Sequence, residues 1–257
     1  MNNHVRYSSE KIADSEDLEW YEKDIKIPST DDFELYSEQT EKALDDLSEG
    51  FGITISDVRF VYGNWSEERA SELIENRKTS YTSGYSFHPS FHSWESEPTI
   101  YLKSFTSYDC WKDGFRNAIV HEVAHQLFYA GEFSGFEDQV DSIVFEGHAM
   151  VLAKKVCELF GYDYSSPWRP SNTIDVEYDS IIEELPKQRT LSDEDSENIG
   201  NLFRGGEPFP NQEGYVISYQ FGEWITNNTD YQIQDFPNFS REERDELVKD
   251  ALESLYN

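Results

Sequence analysis

Two histidines four residues apart, with a glutamate directly after the first, form the stretch His121-Glu122-Val123-Ala124-His125. Residues four apart share one face of a helix, so both imidazoles can reach a single ion. Glu122 then projects beside that ion, where its carboxylate can take a proton from bound water. The predicted chemistry is hydrolysis assisted by a zinc ion. Chance alone produces the same five-residue pattern in roughly one of sixty chains of this composition. Two unrelated histidines on a buried helix are therefore a real competitor, and the surrounding sequence has to decide.

At about 100° per residue, placing His121 at the origin puts His125 near 40° and Glu122 near 100°. Ile119, Val120, Val123 and Leu127 gather on the opposite side, and Ala118 and Phe128 widen the apolar surface. The predicted helix is largely buried, with the motif as its one ionisable cluster. Burying those groups without an ion would be costly. Zinc needs a third protein ligand and one open position. Glu146, on the next predicted helix, is a lone carboxylate among Ile143, Ala149, Met150, Ala153 and Cys157, and is the favoured third ligand. A glutamate paired with a base from elsewhere is the alternative. His148 is the rival ligand, lying about 160° away on the same wheel with Asp141 and Lys155. Asp138 and Asp141 are weaker alternatives. His88 and His92 sit in a Pro/Ser loop, read as surface or substrate-facing, and His4 carries no signal.

The elements that hold these residues follow from periodicity and punctuation. A helix is predicted over about 32–47, stopped by Gly50, and alternation of Val58, Phe60 and Tyr62 predicts a strand running into Gly63-Asn64. Ser66 caps a helix to about residue 77. The stretch 79–97 reads mostly as loop and 99–105 as a strand. The motif helix covers about 112–130 and ends at Gly131; the next covers about 137–160 and ends at Gly161. Further helices are expected near 174–185, 192–203, 214–227 and 240–255, the last opened by the capping box Ser240-x-x-Glu243. Loops fill 161–173 and 204–213. The fold class is α+β: an acidic N-terminal arm over 1–30, then a single domain over 31–257. That domain divides into a small α/β part, 31–110, and a mainly helical part, 111–257.

The charge is extreme, 52 acidic against 21 basic residues for a formal net charge of −31 over 257 residues. Such a chain will not seek nucleic-acid phosphates or anionic membranes. The acids are spread evenly: residues 1–50, 51–160 and 161–257 carry 15, 16 and 21 of them, so no acidic tail accounts for the sum. This pattern suits a surface adapted to high salt, where screening removes self-repulsion. Cys110 and Cys157 form no disulfide framework or zinc cluster and read as small core residues. With no apolar leader and no run of membrane-spanning length, the expectation is a soluble cytoplasmic protein.

His-Glu-x-x-His, followed some twenty residues later by Glu146-Gly147-His148-Ala149 on a helix, resembles the gluzincin-type family of predicted zinc-dependent proteases. The likeness covers roughly residues 99–227. It takes in the strand before the motif, Pro167-Trp168 and the late Gly214-Tyr215 element. The resemblance implies a zincin-like metalloprotease fold, with His121, His125 and Glu146 as zinc ligands and Glu122 as the catalytic glutamate. It also implies that an edge strand lines the cleft. Three positions depart from the family pattern. Ser218 stands where the family's late Gly-Tyr-x-x-Gly-Tyr motif has its second glycine, which questions the close backbone packing there. His148 stands where leucine is usual. Met150 occupies the place where thermolysin-like gluzincins carry a histidine-holding aspartate, so that support must come from elsewhere.

The expected reaction is cleavage of a peptide or protein substrate by metal-activated water, with Glu122 moving the proton to the leaving amine. Tyr215 and Tyr219, four apart on one predicted helix face, are candidate donors to the oxyanion, against ordinary aromatic packing as the plainer role. The strand over 99–105 could accept a substrate strand on its edge. Two other classes compete: a non-catalytic zincin-fold protein that binds a regulatory partner, and an acidic module that captures basic proteins with the motif accidental.

Overall fold

The computed structural model describes residues 6–8, 25–75, 82–90, 96–106, 111–131, 139–164 and 213–256. Ser29 begins the first helix, α1 (Thr30–Phe51), its hydroxyl accepting from the Asp32 amide at 3.1 Å. The helix outruns the expected stop at Gly50 and ends at Gly52, whose φ of 65° is the left-handed cap conformation. Gly50 has another use. A Cβ there would lie 2.7 Å from Leu159 Cδ2, so its missing side chain admits a close neighbour.

Five strands make one sheet: β1 (Arg6–Ser8), β2 (Ile25–Lys26), β3 (Arg59–Trp65), β4 (Ser83–Phe87) and β5 (Thr99–Ser104). The order is β1–β3–β5–β4, with β2 also on β3. The β1–β3 and β3–β5 pairs are parallel; β2–β3 and β4–β5 are antiparallel. The expected N-terminal arm thus supplies two short strands, because β3 offers an edge whose amides and carbonyls need partners. Two further differences concern the site. The stretch expected as loop contains β4, and β5 is an interior strand with β3 and β4 on its two sides. Its residues are buried on both faces, as a strand paired and covered on both sides requires. β5 therefore has no free edge along Thr99–Ser104. Among the described residues β4 ends the sheet.

The helices are α2 (Glu67–Glu75), α3 (Trp111–Ala130), α4 (Gln139–Phe160), α5 (Glu213–Asn228) and α6 (Arg241–Tyr256), with a 3-10 turn at Ile233–Asn238. Ser66 caps α2 as expected, accepting from the Arg69 amide at 3.2 Å. Ser240 and Glu243 form the expected box at the start of α6, Ser240 N donating to Glu243 at 2.8 Å and Glu243 N to Ser240 Oγ at 3.3 Å. The helices expected over 174–185 and 192–203, and Pro167, Trp168, His4, His92, Cys110 and Asp138, lie outside the described residues. No helix among the described residues is long and apolar enough to cross a membrane.

The chain forms two compact units, Met1–Leu127 with Leu152–Pro167, and Phe128–Val151 with Trp168–Asn257. Their boundaries fall inside α3 and α4. The first unit has an aromatic core in which Tyr36 stacks on Phe115 at 4.7 Å and meets Tyr62 and Trp111. In the second, α4 and α5 touch backbone to backbone: a Cβ on Gly147 would lie 2.5 Å from Ser218 O, and one on Gly222 would lie 2.7 Å from Gly147 O. The close packing that Ser218 put in question is therefore present, and Gly147 and Gly222 supply it. Cys157, expected in the core, is buried, which pushes its thiol up to about 12.

Candidate metal centre

α3 carries the motif on a stretch buried nearly all round. Ile119, Val120, Val123 and Ala124 belong to the core, while Glu122, His125 and Gln126 are buried polar residues beside them. The four-residue spacing brings the two imidazoles together, His121 Nε2 lying 3.1 Å from His125 Nε2. Zinc bonds to imidazole of about 2.0–2.1 Å set the corners of a tetrahedron roughly 3.3 Å apart, so the observed pair has the spacing of two ligands on one ion. Glu146 of α4 joins them: one ligand atom from each of His121, His125 and Glu146 lies within 4.8 Å of the others. This is the only such group of three or more among the described residues. Two imidazole nitrogens and one carboxylate oxygen are a donor set that zinc accepts, and three ligands leave a tetrahedral position open.

His148 lies elsewhere. It is fully buried in the second unit, its ring 5.1 Å from that of Phe128 and 5.5 Å from that of Phe236. Asp141, the weaker alternative, is occupied by two arginines, Arg241 at 2.7 Å and Arg244 at 2.8 Å. His88 follows β4, its Nδ1 accepting from the Ser90 amide at 3.2 Å. Tyr215 and Tyr219 are half-buried on α5.

Glu122 is 5% exposed, a carboxylate held inside the protein. What it rests on is β4. The pleat puts Tyr85 and Phe87 on one face of that strand and Gly84 and Ser86 on the other. Tyr85 and Phe87 pack against Val61 and Tyr101, which anchors the strand to the sheet. Gly84 faces Glu122 so closely that a Cβ there would lie 2.6 Å from Glu122 Cγ and 2.7 Å from Oε1. Ser86 donates to the backbone oxygen of Glu122 at 3.1 Å. Gln126 completes the tie, its amide nitrogen donating to Ser86 Oγ at 2.7 Å and to Phe87 O at 2.9 Å. Burial first, with the Glu122 charge adding to it, raises the Tyr85 hydroxyl above its ordinary range, against the lowering effect of Ser83.

Gly84, Ser86 and Gln126 are absent from the sequence reading of the site. A signal for the first two existed in Ser83-Gly-Tyr-Ser-Phe87, where small and aromatic residues alternate with the period of a strand. Gln126 gave none, since a polar residue beside a motif histidine is equally at home on a surface.

The chain was compared with protein-family models, with curated proteins and with solved structures, and nothing in any of the three matches it.

Proposed function

We propose that this protein is a zinc-dependent peptidase with a zincin-like, gluzincin-type site, acting on peptide or protein substrates. The observation that carries the proposal is the meeting of His121, His125 and Glu146, with the buried Glu122 carboxylate next to the first of them in the chain. His121 Nε2, His125 Nε2 and a Glu146 oxygen would hold the ion. A zinc ion there would supply a water acidic enough to attack at neutral pH and would polarise the substrate carbonyl.

The rest falls to the chain's own groups. Glu122 takes the proton of the attacking water on its carboxylate and returns it to the leaving amine. Its burial suits this role, because a carboxylate shielded from bulk water keeps its proton for the reaction instead of exchanging it freely. β4, as the terminal strand, offers backbone groups to which an extended peptide could pair; the interior position of β5 removes it from that role. Tyr215 and Tyr219 are proposed donors to the oxyanion. The evenly spread acids support work in high salt, with a Tm that rises as salt is added to dilute buffer.

The test is metal analysis coupled to cleavage of a quenched fluorescent peptide mixture, at low and at molar salt. Wild type should carry about one zinc per chain and lose cleavage to a chelator. Glu122→Gln should keep the zinc and lose at least about a hundredfold in kcat. A wild type that binds zinc stoichiometrically yet cleaves nothing at either salt would sink the peptidase reading.

A further inference from the structure

We propose that Gly84 and Gln126 are positioning residues for Glu122, a role that rests on the reading of Glu122 as the base. Gln126 is one helical turn from Glu122 on α3, and its amide nitrogen reaches two acceptors on β4, Ser86 Oγ and Phe87 O. A third acceptor, Thr99 O of β5, lies at 3.5 Å. Ser86 passes the connection back to the helix through the Glu122 carbonyl oxygen. Helix and strand are thus locked at one height by a buried amide that can only donate to these atoms, since each of them accepts.

Gly84 then decides where the carboxylate lies. The three atoms nearest to a Cβ at position 84 all belong to Glu122: Cγ at 2.6 Å, Oε1 at 2.7 Å and Cδ at 2.9 Å. Contacts under about 3 Å are closer than carbon atoms tolerate, so any side chain at position 84 displaces that carboxylate or pushes the strand away. Gly84 sits mid-strand, where glycine is otherwise unfavourable. Its unexceptional backbone needs no glycine, as its φ is not positive. The close approach of Glu122 is what requires it.

A stability cycle and a kinetic comparison test this. Gly84→Ala in the wild type should lower the folded-to-unfolded ratio at least about tenfold, whereas in a Glu122→Ala background, with the obstructing atoms gone, it should change the ratio less than about threefold. Additive effects of the two substitutions would overturn the proposal, and this readout needs neither zinc nor substrate. On zinc-loaded protein and the peptide mixture, Gly84→Ala should lower kcat about ten- to a hundredfold, since the base is displaced whether the carboxylate or the strand gives way. Gln126→Glu keeps the shape and removes the donor, and should lower kcat similarly with zinc retained. Wild-type kcat in zinc-loaded Gly84→Ala would overturn the positioning role. Wild type that binds zinc but cleaves nothing would overturn the peptidase reading instead, and the stability cycle would still decide what Gly84 does.

Discussion

His125 and His148 are both buried histidines on consecutive long helices, yet they live in different chemistry. His125 has a second imidazole nitrogen 3.1 Å from its own and buried polar neighbours, Glu122 and Gln126, on the same helix. His148 has rings around it, Phe128 at 5.1 Å and Phe236 at 5.5 Å. The same contrast holds for the carboxylates. Glu122 rests on the backbone of β4, and Asp141 is clasped by Arg241 and Arg244. α3 thus concentrates buried polarity beside a group that could hold an ion, whereas the start of α4 uses it for a structural ion pair. Burial of an ionisable residue does not by itself mark a site. What marks it is which other atoms share the burial.

The histidines offer the sharpest way to break this comparison. On the proposed zinc reading, His125→Ala should cut bound zinc from about one per chain to under a tenth, because two ligands hold zinc far more weakly than three. His148→Leu, similar in volume and set among aromatic rings, should leave zinc content unchanged and shift stability by less than about 1.5 kcal/mol. Zinc lost from the His148 variant, with the fold intact by circular dichroism, would reverse the assignment.

Asp141 comes next. It is fully buried, and Arg244 beside it is nearly so. Removing one member of such a pair leaves the other charge without compensation, and Asp141→Ala should cost about 3–5 kcal/mol in chemical denaturation. Glu122→Gln should cost less than half of that and abolish cleavage instead. Equal destabilisation by both would show that the two carboxylates share a structural role.

A smaller effect is expected where α4 meets α5. Gly147→Ala brings a Cβ to 2.5 Å from Ser218 O, a backbone atom that cannot turn aside. Overpacking should cost about 1–3 kcal/mol, offset in part by roughly 1 kcal/mol of helix propensity. Thermal melting measures the balance, and a rise in Tm would mean that the helices separate easily.

Much of this was legible in the chain because it is written in short-range chemistry. Ser66, Ser240 with Glu243, and Gly161 punctuate helices within a few residues, and His121 and His125 need only helical spacing to converge. Glu146 was legible because a lone carboxylate among Ile143, Ala149 and Met150 demands a partner. The misreadings concern pairings over longer distance. Nothing near Arg6–Ser8 or Ile25–Lys26 announces a strand, since those residues become strands only against β3. β4 hid in a Ser- and Gly-rich stretch because Gly84 and Ser86 are chosen for α3, thirty-odd residues ahead. Taking β5 as an edge was the same error seen from its neighbour. Gly50 looked like a stop because glycine usually is one, whereas here it makes room for Leu159.

The smallest predicted effect lies at the other end of the comparison, on a carboxylate that water can reach. Glu243 accepts hydrogen bonds from the Ser240 hydroxyl and backbone, and these hold its carboxyl below the ordinary glutamate range, against a weaker opposing effect of burial. A carboxyl depressed in the folded state stabilises the protein at pH values above its unfolded pKa. As pH falls through the folded value, both states become protonated and that contribution disappears. Glu243→Gln should therefore lower Tm slightly at neutral pH, as loss of a helix-start interaction worth about 1 kcal/mol or less would. The gap from wild type should close as the pH drops below the carboxylate range. Buried Asp141 should behave differently, since an amide at that position removes the carboxylate that faces the buried Arg244, while Arg241 keeps Asp245 at 3.2 Å. The penalty of Asp141→Asn at neutral pH should be several times that of Glu243→Gln. A gap for Glu243→Gln that widens in acid would mean that the depressed carboxyl is not what stabilises the start of α6.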